Sequence, residues 1–214
     1  MHRQAIAFSI VVSAVLLSSQ AGATLIVNGS FESGALPTPP GTTLTSGSTD
    51  ITGWVVGGHG IDYIGTYWQA SDGGRSIDLD SGTILGAGPY DGSISQTFVT
   101  TSGQEYRVGF DMAGNPDGGP ALKVLEISAA GQSSQLSFLN TDQTHGAMDY
   151  QPRAFDFVAT SSTTTLTFTS LSGTGYGPVI DNVSVNAVPE PATVLLLLGI
   201  LPIFTIKWCR RAIR

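Results

Sequence analysis

Tyr63, Tyr67 and Trp68 stand close together in the stretch IDYIGTYWQASDGGR. Flat aromatic faces cover the C–H surfaces of sugars while neighbouring polar groups bond their hydroxyls. Gln69, Asp72 and Arg75 are therefore suitable company for carbohydrate recognition. The competing reading is structural, because tryptophan and tyrosine in small all-β domains are commonly core residues and strand alternation buries some of any such group. Trp54 is assigned to the core outright.

A second constellation is acidic. In PVIDNVSV, Asp181 falls in phase with Val179, Val183 and Val185, so it is expected to face the core, where an unpaired carboxylate is costly. Calcium takes hard carboxylate oxygens together with backbone carbonyls, and Glu32 in NGSFE is the candidate to meet Asp181 at one ion if the first and last strands lie side by side. An arginine partner or a set of turn amides would neutralise Asp181 equally well. The run Asp78-Leu79-Asp80-Ser81-Gly82 resembles the start of a calcium loop. Its twelfth position, however, is Pro89, where a bidentate glutamate is required, so an EF-hand is excluded and the pair is read as decorating a turn.

Catalytic signatures do not emerge. His59 and His145 stand in no H-x-x-x-H pair, and no G-x-S-x-G elbow, P-loop or dinucleotide fingerprint occurs. Paired carboxylates of the kind that cleave glycosides are invisible in sequence when they come from different strands. Scattered acids more often serve solubility, and the chain is read as a non-enzyme.

The segment 24–190 carries all 16 acidic residues against Arg75, Arg107, Lys123 and Arg153, a net charge of −12. Such a charge repels nucleic acid and anionic lipid and suits an extracellular surface. The single cysteine, Cys209, lies beyond this segment, so the acidic part forms no internal disulfide and depends on burial for its stability.

The two ends read as sorting information. Residues 1–23 have a weakly basic start, an apolar run and the small-residue site Ala21-Gly22-Ala23, the three parts of a signal peptide cut by signal peptidase. Near the other end, Pro189-Glu190-Pro191 is followed by the uncharged apolar stretch 192–206 and a basic tail with Arg210 and Arg211. Fifteen residues of helix span about 22 Å, short of a ~30 Å hydrocarbon core, and Trp208 extends the span at the interface, giving an expected transmembrane helix over 192–208. The basic tail places the acidic domain outside and the tail inside.

Between the ends, residues 24–187 read as short strands. Tyr106, Val108, Phe110 and Met112 alternate on one face of EYRVGFDMAG; Phe155 and Phe157, and Leu166 and Phe168, do the same in later runs. Glycine-rich breaks at 115–119 and 172–175 mark connections. Residues 36–50 read as a Pro/Gly/Ser/Thr loop without apolar periodicity. The sum is one all-β domain, an antiparallel sandwich or jelly roll.

The string VPEPAT with its apolar run and arginines resembles the PEP-CTERM sorting signal of Gram-negative bacteria. That resemblance implies processing by exosortase near the motif and delivery to the cell surface or matrix. Four blocks, TLIVNGSFESG, YIGTYWQASDGGRSIDLDSG, ISQTFVTTSGQEYRVGFDMAGNPDGGP and YGPVIDNVSV, resemble the bacterial choice-of-anchor C family. That family is related to plant cell-wall proteins with galactose-binding-like jelly rolls. The resemblance implies the fold and a surface location, with no enzymatic activity to carry over. Carbohydrate-binding modules of this class commonly hold a structural calcium at the place of Glu32 and Asp181. The expected function is a surface or matrix module that binds extracellular polysaccharide; the alternative is a structural surface protein with no small ligand.

Overall fold

A computed structural model describes residues 24–82 and 90–189. The signal peptide, the stretch 192–208, and Glu190, Pro191, Arg210 and Arg211 lie outside the described residues, and Pro189 is the last one within them. Among the described residues no helix is long and apolar enough to cross a membrane.

The strands are β1 (Gly41–Leu44), β2 (Val55–Gly58), β3 (Ile61–Ile64), β4 (Ser76–Asp78), β5 (Gly92–Val99), β6 (Glu105–Gly114), β7 (Leu122–Ala129), β8 (Gln132–Leu139), β9 (Gln151–Val158), β10 (Thr163–Ser170) and β11 (Pro178–Ala187). They form a six-stranded sheet in the order β1-β3-β4-β11-β6-β9 and a five-stranded sheet in the order β2-β5-β10-β7-β8. Every pairing between strands is antiparallel. The two-sheet jelly-roll architecture expected from alternation is the one observed.

The facing surfaces of the sheets supply the core. Tyr106, Val108, Phe110 and Met112 of β6 are buried together, and Phe110 meets Phe168 of β10 edge to face at 4.9 Å, a contact from one sheet to the other. Phe157 of β9 stacks on Tyr106, its register partner. Trp54 is fully buried against Phe31 and Phe168, and its indole N–H donates to the Asn28 carbonyl. The opening segment runs beside the last strand, with Leu25 N–H bonded to the Val185 carbonyl and Val183 N–H to the Gly29 carbonyl.

Two features depart from the sequence reading, and both bear on the site. The run 36–50 contains β1, which edges the six-stranded sheet against β3 and owes its place to ladder bonds, since only Leu44 among its residues is an apolar core side chain. In β11 the register with β6 shifts between Asp181 and Ser184. Before the shift, Ile180 pairs with inward-facing Met112 and Asp181 with Asp111; after it, Val185 pairs with inward-facing Val108. The irregularity breaks the phase assumed from spacing. Asp181 therefore does not point between the sheets with Val183 and Val185 but toward the outer face of the six-stranded sheet, where loops bury it completely.

Candidate functional site

Register defines which side chains share that outer face. Gly41 pairs with Ile64 and Thr43 with Asp62 across β1 and β3; Asp62 pairs with Asp78 across β3 and β4; and Asp78 pairs with Val179 of β11. Over this surface fold the segment after β3, carrying Tyr67 and Trp68, and the turn after β6, carrying Asn115. They enclose a cleft of about 390 Å³ whose other wall is β1 and the residues before it, Thr38 and Pro40. The volume lies at the lower end of the ~300–1,000 Å³ range of pockets that take small ligands. Gly41 keeps the floor open, since a Cβ there would come within 3.3 Å of the Ile64 side chain.

Trp68 is buried against the outer face, its indole N–H donating to Ser76 Oγ at 2.9 Å. Tyr67 is 37% exposed and forms the rim, with its ring centroid 5.3 Å from Trp68 and 4.4 Å from His145. The Tyr67 hydroxyl donates to Asp117 Oδ2, and His145 Nε2 lies 2.7 Å from Asp117 Oδ1. That hydrogen bond to Asp117 is the main reason the Tyr67 phenol is held above its ordinary pKa. A rigid aromatic edge results.

Asp62 makes the floor acidic, and two further acids, Asp78 and Asp80, are buried nearby. Asp62 accepts from Thr43 Oγ1 and from Gly82 N–H, and burial pushes its pKa up against the pull of those two donors. Asp78 is fully buried in β4 and accepts from the Asn115 side-chain amide and from the Asp80 and Gly177 backbone N–H groups. Burial, and next the charge of Asp80, raise its pKa well above the carboxylate range. Gly177 is required there: a Cβ would stand 2.4 Å from Asp78 Oδ1 and 2.7 Å from Asp80 Cγ. Asp80 is also fully buried, and burial raises its pKa to about 7. The Ser170 hydroxyl is near enough to favour its charged form, yet neither carboxylate oxygen makes a hydrogen bond of ordinary geometry. Asp78 and Asp80 thus do not decorate a turn; they sit inside, with the buried Lys123 as the nearest compensating charge.

Other residues singled out from sequence lie apart from the cleft. Tyr63 faces inward, 1% exposed, with its hydroxyl on the Phe31 carbonyl and Arg75 Nη1 donating to it at 2.7 Å. Its ring offers no free face to a sugar, because the guanidinium of Arg75 stands over it at 5.6 Å. Gln69 and Asp72 are exposed on the loop between β3 and β4; their backbone N–H groups bond His145 O and Asp181 Oδ2. Asp62, Asn115, Thr43, Asp117 and His145 were not among the expected site residues. Asp62 was legible as the outward neighbour of Tyr63, whereas Asn115, Asp117 and His145 come from distant loops and left no local signal.

Glu32 and Asp181 grip one loop from two sides. Asp181 accepts from the Ser71, Asp72 and Asn182 N–H groups, and Glu32 Oε1 from those of Gly74 and Arg75. Burial raises the Asp181 pKa to about 7 against the pull of its amides. Gly73, at φ +66°, lets the loop pass so close that a Cβ there would meet the Glu32 carboxylate at 2.5 Å. The expected calcium meets a poor fit in this arrangement: amide hydrogens point at both carboxylates, and Arg75 Nε lies 4.0 Å from Glu32 Oε2. Among the described residues no group of three or more His, Cys, Asp or Glu could hold a metal.

Residues 24–186 match the family described as protein of unknown function (DUF642). The chain belongs to that family. The match is to DUF642 and not specifically to the choice-of-anchor C family. Residues 187–211 match the PEP-CTERM protein-sorting motif, which gives this DUF642 protein exosortase-associated export to the cell surface. A stretch of 173 residues is 31% identical to halomucin of Haloquadratum walsbyi, covering 78% of this chain and 2% of halomucin. The arabinose-bound α-L-arabinofuranosidase MgGH51 is similar with a TM-score of 0.51 at 12% identity, over 77% of this chain and 26% of that enzyme. TmCBM61 in complex with β-1,4-galactotriose (TM-score 0.47, 16% identity) covers 78% of this chain and 100% of its own. A family 35 carbohydrate-binding module from Clostridium thermocellum (TM-score 0.43, 12% identity) covers 69% and 99%. The likeness at 0.51 concerns the fold.

The buried acids fix a pH dependence. Asp80 has an ordinary value of 3.8 and a folded value of about 7, so between these the native state holds a proton that the unfolded chain has released. Stability then falls as pH rises from about 4 to about 7, with Asp78 acting in the same direction. The full-length protein should melt several degrees higher at pH 5 than at pH 8, at ~2–4 °C per kcal/mol for a domain of this size. Asp80→Asn should flatten this slope; an unchanged slope in the variant contradicts the assignment.

Proposed function

We propose that this DUF642 protein is a non-catalytic carbohydrate-binding module of the cell surface or extracellular matrix, recognising polysaccharide through the cleft beside Tyr67 and Trp68. The observation that carries the reading is the half-exposed Tyr67 ring, braced by Trp68, His145 and Asp117 above a floor of hydrogen-bond acceptors. A monomer without a partner has little reason to fix an aromatic rim over an open polar cleft. The assignment to the choice-of-anchor C family belongs to the same proposal and rests on the four sequence blocks. The alternative, a structural surface protein without a small ligand, draws support from the burial of Tyr63 and Trp68.

Removal of residues 1–23 by signal peptidase, and transient membrane attachment through 192–208 before exosortase acts at Pro189-Glu190-Pro191, complete the proposal. Calcium at Glu32 and Asp181 is a separate proposal, supported by the complete burial of Asp181. A cation there would have to take over from the amides.

Three measurements test these readings. In affinity electrophoresis through polysaccharide gels, Tyr67→Ala should weaken retention by about tenfold with a nearly unchanged melting temperature. Trp68→Ala should instead lose about 3–5 kcal/mol of stability through cavity formation. No retention of the wild type on any polymer would favour the structural alternative. Mass spectrometry of surface protein from native cells should find a chain starting near Thr24 and lacking Trp208; an intact tail on all molecules defeats the processing claim. Chelation should lower the wild-type melting temperature and leave Asp181→Asn unaffected if calcium is held, by about 2.7 kcal/mol when free ion is a hundredfold above its dissociation constant. Equal melting with and without chelator removes the ion.

A further inference from the structure

The cleft has an electrostatic character that narrows its ligand. Asp62 lies in the floor, with one hydrogen bond accepted at each carboxylate oxygen and further lone-pair capacity on both. Asp78 stands directly behind Asn115, and Asp117 holds the Tyr67 rim. Sugar hydroxyls are donors as well as acceptors, and a carboxylate accepts them in charge-assisted bonds. A negatively charged ligand meets the Asp62 carboxylate as repulsion.

Among the described residues no Lys, Arg or His side chain lines the cleft to offset that repulsion. Residues 24–189 contain four basic side chains. Lys123 is buried, with Nζ donating to the Gly118 and Tyr176 carbonyls. Arg75 is tied to the Tyr63 hydroxyl beside Glu32, on the opposite side of β3 from the cleft floor. Arg107 makes a bidentate pair with Asp156, and Arg153 reaches the Pro152 and Ser137 carbonyls on β9 and β8. None of the four lines the cleft. His145 approaches the rim but is already paired with Asp117.

We propose that the cleft is specific for neutral sugar units and excludes uronates and sulfated sugars, with Asp62 as the acceptor that selects hydroxyl donors. This rests on the carbohydrate-binding reading of the same cleft and names its ligand class. The neutral unit lies against the Tyr67 edge and directs hydroxyls at Asp62 and Thr43. An acidic unit of the same shape brings a second carboxylate to Asp62 without a counter-ion, and like charges placed face to face suppress the wrong partner.

The test uses the full chain in mild detergent at pH 8, in affinity electrophoresis. The neutral probes are β-1,4-galactan, arabinan and xylan; the acidic probes are polygalacturonate and alginate. Retention by at least one neutral polymer, with acidic polymers at least about tenfold weaker, is the expected result. Thr38→Arg places a cation at the mouth on an exposed loop residue whose own bond, to Thr42 Oγ1, is made by its backbone. This variant should bring acidic retention to within a few-fold of neutral. Equal or stronger wild-type retention by polygalacturonate overturns the specificity while leaving carbohydrate binding intact. A neutral-to-acidic ratio that Thr38→Arg does not change overturns the charge account. Retention by no polymer overturns the carbohydrate reading and the specificity with it.

Discussion

Desolvated carboxylates on the outer face of the six-stranded sheet are the constraint around which the rest of this domain is arranged. Asp62, Asp78 and Asp181 project from β3, β4 and β11 onto one surface, and each has been removed from most or all contact with water. A buried carboxylate without donors costs several kcal/mol, so each must be met by N–H or O–H groups. The donors come chiefly from loops: Gly82 for Asp62, Asp80 and Gly177 for Asp78, and Ser71 and Asp72 for Asp181. In an ordinary sandwich the outer face is wet and the loops are free. Here the loops are folded down by the acids beneath them.

That arrangement gives the cleft its stiffness. The segment holding Tyr67 and Trp68 leads into residues 71–75, which are gripped by Asp181 at one end and Glu32 at the other. The turn holding Asn115 is pinned through its side-chain amide to Asp78 and through its carbonyl to Asn140. The side of the cleft formed by these two segments is therefore set in advance, and a preformed site avoids the ordering cost that weakens binding by flexible loops. The cost falls on stability, since the same acids are carried above their ordinary pKa values by burial. Cysteine-free and strongly acidic, the domain offsets this with a core that runs from Trp54 and Phe31 through Phe168 to Phe110.

Period-two alternation made the inner faces of β6, β9 and β10 legible, because one buried face imposes a strict pattern on sequence. It failed in β11, where a single irregularity between Asp181 and Ser184 exchanged the faces without leaving a trace in PVIDNVSV. It failed again in β1, whose glycine and threonines belong to an edge strand held by backbone ladder bonds. Of the aromatic group, Tyr67 and Trp68 reach the cleft while Tyr63 turns inward, as alternation from Asp62 requires. The acidic floor stayed hidden for another reason. Asp62, Asp78 and Asn115 are brought together by strand order, and strand order is a property of topology that local spacing does not encode.

The direction in which the chain leaves the domain adds the last constraint. β11 begins at Pro178, opposite Gly114, and ends at Ala187, opposite Tyr106. The cleft lies at the Pro178 end: Asp78 is level with Val179, and Asn115 follows Gly114 directly. At the other end Val188 is fastened by its N–H to the Glu105 carbonyl and by its own carbonyl to the Gln104 side chain, so ordered structure continues to the threshold of the Pro189-Glu190-Pro191 motif. At ~3.3 Å per residue, the length of β11 separates the two by about 30 Å. The cleft and the last described residues, Val188 and Pro189, thus lie toward opposite ends of the longest strand they share.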